Sequence, residues 1–573
     1  METIGIMGDK GRKLEDLLAF LYGNRKGEAS RLIGEVLARR RPAQSAGKRG
    51  FTEKDALLIS YGDMIAPGPG DVRSGLARLG GFLDERLPGL FSYLHILPFF
   101  PYSSDDGFSV MDYRAVDKAL GTWDDVEAIG RGRRLAFDLV LNHASARGVW
   151  FQAFKAGTKP YDRFFLTRPL DYDASSVLRP RTHPLITPAT LDDGRTVGLW
   201  TTFSADQVDL DFSEPAVLAE FVDVILGYAE RGARMLRLDA IAYLWKKDGT
   251  SCAHLPETHA VVKAIRAIID GLGLDMIVLT ETNVPHAENM SYFGGGDEAH
   301  MVYNFSLPPL VLHAFATGDA GPLSRWAADL RVPPGGVLLN FLASHDGVGV
   351  TPARGLVDDF DTTIAAVQER GGLVSYKGTP TGPAPYELNV SWADAVARPE
   401  ADDDERSRAL VASYAVACAM DGVPAVYFHS AVGSRSWKAG PERLGYNRAI
   451  NRERPLLTEL ESALDDPGSM RSISLSGMAS LLRERAKRPA FAPSSPRRAY
   501  PASGAVFAVE RGSGSDAVLV LVNCSHEPCR AAPPDGWLGK DRAVDPVRGR
   551  VVELDPSERG LSMDGYGVLW LER

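Results

Sequence analysis

Cysteine is scarce. Cys252, Cys418, Cys524 and Cys529 are the only four in 573 residues, and no CxxC pair is among them. That excludes a disulfide-built scaffold and points to free thiols in a cytoplasmic protein; a Cys524–Cys529 bridge is allowed but not forced. Long apolar runs are missing too: no stretch of about 18 residues could cross a bilayer. The opening METIGIMGDKGRKLEDLLAF lacks the basic start and apolar core of a secretory signal. Positive charge is not in excess, since 64 Lys and Arg against 74 Asp and Glu leave a net −10. Nucleic acid and anionic membranes are therefore poor partners, although a local arginine cluster could still hold a small anion. His and Cys show no metal-ligand spacing, so no metal and no cofactor are expected.

What is present is ordinary in bulk and organised in sequence. Apolar residues make up 45% and charged residues 24%, which suits a globular chain long enough for a large core and more than one domain. Residues 1–50 read as a helical extension, with KLEDLLAFLYG and EASRLIGEVLARRR apolar at three-to-four spacing. Its basic end, Arg39-Arg40-Arg41, reads as a solvated helix terminus. From residue 55 apolar strand-like runs alternate with helical segments. Eight runs occur, at 56–61, 93–99, 135–142, 235–240, 276–281, 301–307, 337–344 and 425–430. Runs apolar on both faces and separated by helices predict an α/β fold, a parallel (β/α)8 TIM barrel over 51–480. Two spacers are too long for simple helices. They predict insertions after strand 3 (about 143–212) and after strand 7 (about 347–405), a length that usually carries function. From 481 to 573 short strand-like runs predict a C-terminal all-β domain.

Three of the runs end in a carboxylate: Asp239 in MLRLD, Glu281 in MIVLTE and Asp346 in VLLNFLASHD. An ionised, unpaired carboxylate at the inner end of a buried strand is costly. Three in order mark a site, at the face where barrel enzymes carry their chemistry. Two carboxyls at one centre can displace twice at a sugar carbon, one as nucleophile and one as acid then base. Arg237, two residues before Asp239, lies on the same side of its strand and is expected to hold that carboxylate ionised, while Glu281 must be protonated.

At these residues the chain resembles the α-amylase superfamily (glycoside hydrolase family 13) over nearly everything from residue 55 onward. The motifs are Asp138-Leu-Val-Leu-Asn142-His143, Arg237-Leu-Asp239, Glu281 and His345-Asp346. The resemblance implies Asp239 as nucleophile, Glu281 as acid/base and Asp346 as the residue that binds sugar hydroxyls. It sharpens toward the sucrose-phosphorylase-like enzymes. Tyr61-Gly-Asp63 and Asn447-Arg448 resemble the pair that closes the far end of a glucose pocket, and Phe203 and Gln207 resemble an aromatic wall and an amide in it. His143 and His345 are expected to contact sugar; His95 and His183 read as structural or surface residues. Tyr113, the setting of Glu281 (Thr-Glu-Thr-Asn-Val-Pro-His), the 376–392 loop and the N-terminal extension depart from the sucrose enzymes and look more like the glucosylglycerate phosphorylases.

That resemblance implies a retaining phosphorylase that transfers glucose from a small α-glucoside to inorganic phosphate, with D-glycerate as the acceptor released. Arg179, Arg181, Tyr376 and Lys377 on the two insertions, with Tyr113, are the candidates for phosphate or acceptor. Sucrose or sucrose 6-phosphate as substrate, a retaining α-glucosidase or transglucosidase, and a non-catalytic sugar- or partner-binding barrel are the competing readings. A calcium ion between barrel and insertion stays open, though Gln207-Val-Asp-Leu-Asp does not argue for one.

Overall fold

The computed structural model describes residues 8–40, 50–379, 382–502, 504–537, 541–554 and 560–573. The eight apolar runs form eight parallel strands. They are β1 (Leu57–Ser60), β2 (Tyr93–Ile96), β3 (Arg134–Val140), β4 (Ala233–Asp239), β5 (Ile277–Thr280), β6 (Met301–Tyr303), β7 (Val337–Phe341) and β8 (Val423–Tyr427). Each pairs with its sequence neighbour, and β8 pairs with β1, which closes the barrel. Closure leaves no strand edge unpaired, and packing on both faces accounts for the unbroken apolar runs.

Two long connections depart from the barrel where the sequence predicts. Between β3 and β4 a short ladder, His143–Ser145 against Gln207–Asp209, and a three-stranded sheet of Thr167–Arg168, Thr196–Trp200 and Ile186–Thr190 stand above the barrel. Between β7 and β8 the strands Leu373–Thr379 and Gly382–Asn389 make a hairpin flanked by Val348–Gly349. The terminal sheet begins later than the run pattern suggests. Met470–Ala486 is a helix that spans residue 480, and the first strand of the six-stranded sheet is Arg497–Ala499. Among the described residues all four cysteines are free, and no helix is long and apolar enough to cross a membrane.

The extension forms two helices, α1 (Asp9–Tyr22) and α2 (Lys26–Arg39). Their apolar stripes pack on the barrel helices α4 (Pro256–Gly271) and α3 (Pro215–Glu230), respectively. Arg39 stays largely exposed although it reaches Asp223 at 3.2 Å, whereas Arg40 is held by Asp223 at 3.0 Å, and Arg25 reaches Glu214 at 2.7 Å. Arg41 and residues 1–7 lie outside the described residues. The helices so clamped, α3 and α4, are those that deliver β4 and β5.

The first insertion is tied to the barrel by a buried lysine. Lys246, in the segment after β4, lies 2.5 Å from Asp209 of the insertion ladder and 2.7 Å from Asn142 at the end of β3. Asp209 is fully buried and accepts from the backbone N–H and hydroxyl of Thr202 and from Asn142 as well. Taking one partner from a buried ion pair strands the other charge, at about 3–5 kcal/mol. Lys246→Met should therefore lower unfolding stability by about 3 kcal/mol in denaturant titration; an unchanged midpoint would mean that Thr202 and Asn142 suffice to hold Asp209.

Candidate active site

Strand register sets the site. In the β3–β4 pair Asp138 stands opposite Arg237 and Val140 opposite Asp239; in the β4–β5 pair Leu279 stands opposite Arg237. The Glu281 amide continues the ladder to the Leu238 carbonyl at 3.1 Å. Asp239 and Glu281 thus leave adjacent strands at one level, and Arg237 lies one pleat below on the same side as Asp239. Its guanidinium is 2.5 Å from Asp138, 2.7 Å from Asp239 and 3.9 Å from Glu281. Asp138 turns its other oxygen to His95 on β2, at 2.7 Å. His95 is therefore an interior strut of the barrel, whereas His183 is half-buried in the first insertion against the Thr201 carbonyl. Ala240 takes a left-handed backbone, φ 50°, a rare turn for a residue with a side chain. That turn aims its amide at Glu281, 3.0 Å away.

The three carboxyls differ electrically. Burial pushes Glu281 up to about 7; Arg237 pulls the other way, and the neighbouring Asp239 and Asp346 add to the rise. Burial raises Asp239 as well, and here it outweighs Arg237, so the arginine moderates the nucleophile candidate without pulling it below the ordinary range. The two groups titrate as a pair. Asp346 goes the other way: burial opposes ionisation, but Arg448, Arg452 and Arg237 together hold it low. Burial, Arg452 and Arg237 keep His345 neutral, its ring stacked on Phe108 at 4.8 Å.

These groups line the base of a cavity of about 420 Å³. On one side His143 lies 2.9 Å from the Phe108 carbonyl and 3.1 Å from Gln207, whose amide donates to Asp105 at 3.1 Å. Phe203 packs between His143 and Tyr243, at ring separations of 5.3 and 5.5 Å. Arg179, Arg181 and Lys377 line the same cavity with no carboxylate at ion-pair distance among the described residues, although the charge of Arg181 reaches Asp346 and Glu387. Arg181 bonds the Tyr386 hydroxyl at 2.6 Å, which joins the two insertions across the mouth. Among the described residues no three His, Cys, Asp or Glu side chains gather as a metal site.

Three expected positions fall elsewhere. Asp63 is half-exposed, outside the cavity, and its arginine is Arg454 at 3.1 Å rather than Arg448. Arg448 instead pairs with Asp346 and is gripped from behind by Glu387, at 2.9 and 2.7 Å. Tyr113 is buried, stacked on Trp150 at 4.5 Å, with its hydroxyl donating to the carbonyls of Val140 and His143, so no phosphate or acceptor can reach it. Tyr376 points outward, 53% exposed, because alternation along its strand turns it away from the side that carries Lys377. Sequence reasoning also passed over Asp105, Asp106 and Glu387. The SSDDGFS segment carries two acidic residues in left-handed turns, and Asp106 pairs with Arg452. That acidic doublet was a usable signal; Glu387 had none.

A carboxyl near 7 that must donate a proton dictates a pH profile. Glu281 is charged above about 7, so kcat/KM for a glucoside should fall as pH rises through that value. Glu281→Gln should remove the basic limb along with most of the activity toward substrates whose leaving group needs protonation. A pH-independent profile from 6 to 9 in the parent (roughly the span a group near 7 would dominate) would contradict this assignment of the proton.

Comparison with known proteins agrees with the geometry. Residues 91–324 match the α-amylase catalytic-domain family. The chain is 44% identical to a glucosylglycerate phosphorylase from Spirochaeta thermophila, over 98% of this chain and 98% of that one. It is 32% identical to a sucrose phosphorylase from Agrobacterium vitis, covering 76% and 88% respectively. The crystal structure of sucrose 6F-phosphate phosphorylase from Thermoanaerobacter thermosaccharolyticum shares the fold, with a TM-score of 0.71 at 24% identity, covering 84% of this chain and 95% of that one.

Proposed function

The chain belongs to the glucosylglycerate phosphorylase family within the α-amylase superfamily and is an enzyme, and on that premise we propose that it cleaves glucosylglycerate with inorganic phosphate, releasing α-D-glucose 1-phosphate and D-glycerate. One observation carries the reading. The cavity carries both signs of charge: Asp239, Glu281 and Asp346 line it, and so do Arg179, Arg181 and Lys377, none of which has a carboxylate within ion-pair distance among the described residues. A neutral sugar suits the carboxylates and a small anion the three cations. Both the departing glycerate and the incoming phosphate are such anions.

In the first step an Asp239 oxygen attacks C1 of the glucosyl unit and the C1–O bond to glycerate breaks. Glu281 gives its proton to the leaving oxygen, and the ring is held as a β-glucosyl ester of Asp239. Asp346 binds ring hydroxyls beside the developing positive charge, and Arg448 fixes Asp346. In the second step a phosphate oxygen attacks C1, Glu281 takes the phosphate proton, and Asp239 is released. Two inversions leave the product α. Phe203, Gln207, His143 and His345 shape the glucosyl side. Tyr386, bound to Arg181, roofs the cavity and restricts water, which would otherwise divert the ester to hydrolysis. No cofactor takes part; phosphate is a co-substrate.

The test is product analysis on glucosylglycerate, sucrose and sucrose 6-phosphate, with and without phosphate. Phosphate-dependent release of α-glucose 1-phosphate from glucosylglycerate alone is expected. Preference for either sucrose ester or sucrose itself would move the acceptor, and glucose release indifferent to phosphate would leave a retaining glucosidase.

A further inference from the structure

Arg448 poses a problem for an enzyme that works in phosphate. It faces the cavity at the glucosyl end, and a guanidinium there is a strong bidentate site for any oxyanion. Phosphate bound at that place would block the sugar. The same residue carries an unusual load of negative charge. Its Nη1 is paired with Asp346, its Nε and Nη2 with the two oxygens of Glu387, and its Nη2 also lies 3.4 Å from the Tyr386 hydroxyl.

Glu387 does nothing else of this kind. It is 1% exposed on the inner strand of the 373–389 hairpin, lies outside the cavity lining, and also accepts from the Gly347 amide at 3.3 Å and meets the Tyr386 hydroxyl. A buried carboxylate whose ion pair is with Arg448 is a costly placement unless its charge is needed there. With Arg452 and Asp106 included, two guanidiniums are ion-paired with three carboxylates, and Arg181, Arg237 and Arg454 add positive charge around them. Arg181 borders this cluster, since it bonds the same Tyr386 hydroxyl and its charge reaches Asp346 and Glu387, whereas Arg179 and Lys377 line the cavity with no ion pair to a carboxylate among the described residues.

We propose that Glu387 is a positioning residue that makes the pocket selective by end. It neutralises and occupies the back of Arg448, so that this arginine can orient Asp346 but cannot hold an inorganic oxyanion, and phosphate is left to the side lined by Arg179 and Lys377. The proposal rests on the phosphorylase reading for its purpose, though not for its test.

D-Glucose is the probe for the glucosyl end and sulfate, which is no nucleophile here, the probe for oxyanions. Calorimetric titration of the parent with glucose should give a Kd that sulfate leaves unchanged. In Glu387→Gln, sulfate should compete and raise the apparent Kd for glucose by about tenfold, one charge-assisted contact. Glu387→Asp, which keeps the charge but is one methylene short of the bidentate grip, should fall between. A variant that binds glucose as indifferently to sulfate as the parent overturns the proposal, and so does a parent already sensitive to sulfate. Should Glu387→Gln fail to bind glucose, the Asp variant is read against the same two outcomes. A residue that only stabilised the hairpin would weaken glucose binding without making it depend on sulfate. Failure of the phosphorylase reading would show separately, as absence of glucose 1-phosphate from the parent.

Discussion

One buried guanidinium organises this molecule. Arg237 is 2% exposed and stands between Asp138 on the neighbouring strand and Asp239 on its own, with Glu281 on the next. A charge so buried is tolerable only with partners of good geometry, and here the parallel register of β3, β4 and β5 supplies them. The consequence is chemical. Two carboxyls are brought to one level beside a single cation that is shared with a third, and burial then favours a proton on the pair. Glu281, farther from Arg237 and closed in by Asp239 and Asp346, is the group best placed to carry it.

The same constraint explains why the rest of the protein is built around β4 and β5. The N-terminal helices pack on the two helices that lead into these strands. Lys246, just past β4, pins the first insertion to the end of β3. The two insertions meet through Arg181 and Tyr386, so the cavity has a fixed roof over a fixed base. The two signs of charge within it originate in different elements. The carboxylates come from the ends of barrel strands, and Arg179, Arg181 and Lys377 from the insertions.

The barrel was legible because its signal is local: eight apolar runs, each buried on both faces, register as composition alone. The strand-end carboxylates were legible for a related reason, since a charge in such a run is conspicuous. Partners were not. Asp63 was matched with Arg448, yet three cationic residues lie in the short stretch Arg448 to Arg454, and which one meets which acid depends on the turn of Asn447–Asn451, a long-range matter. Tyr113 follows the acidic segment that does line the pocket, but packing on Trp150 turns it into the core. Glu387 sits in a hairpin whose sequence looks like any Pro-rich loop, and its significance appears only when Arg448 arrives from 61 positions away. The late start of the terminal sheet has a simpler cause: serine-rich Met470–Ala486 has weak helical periodicity, and tertiary packing against Asp403–Ala419 decides its state.

The account turns on Asp239 becoming glucosylated. Incubation with 5-fluoro-α-glucosyl fluoride, followed by intact-mass measurement and peptide mapping, reads this directly: formation of the ester outpaces its breakdown when the ring is fluorinated. One fluoroglucosyl unit on the peptide that carries Asp239, discharged by added phosphate, is the predicted result. No adduct while the unfluorinated substrate turns over, or an adduct on Glu281 or Asp346, would contradict it.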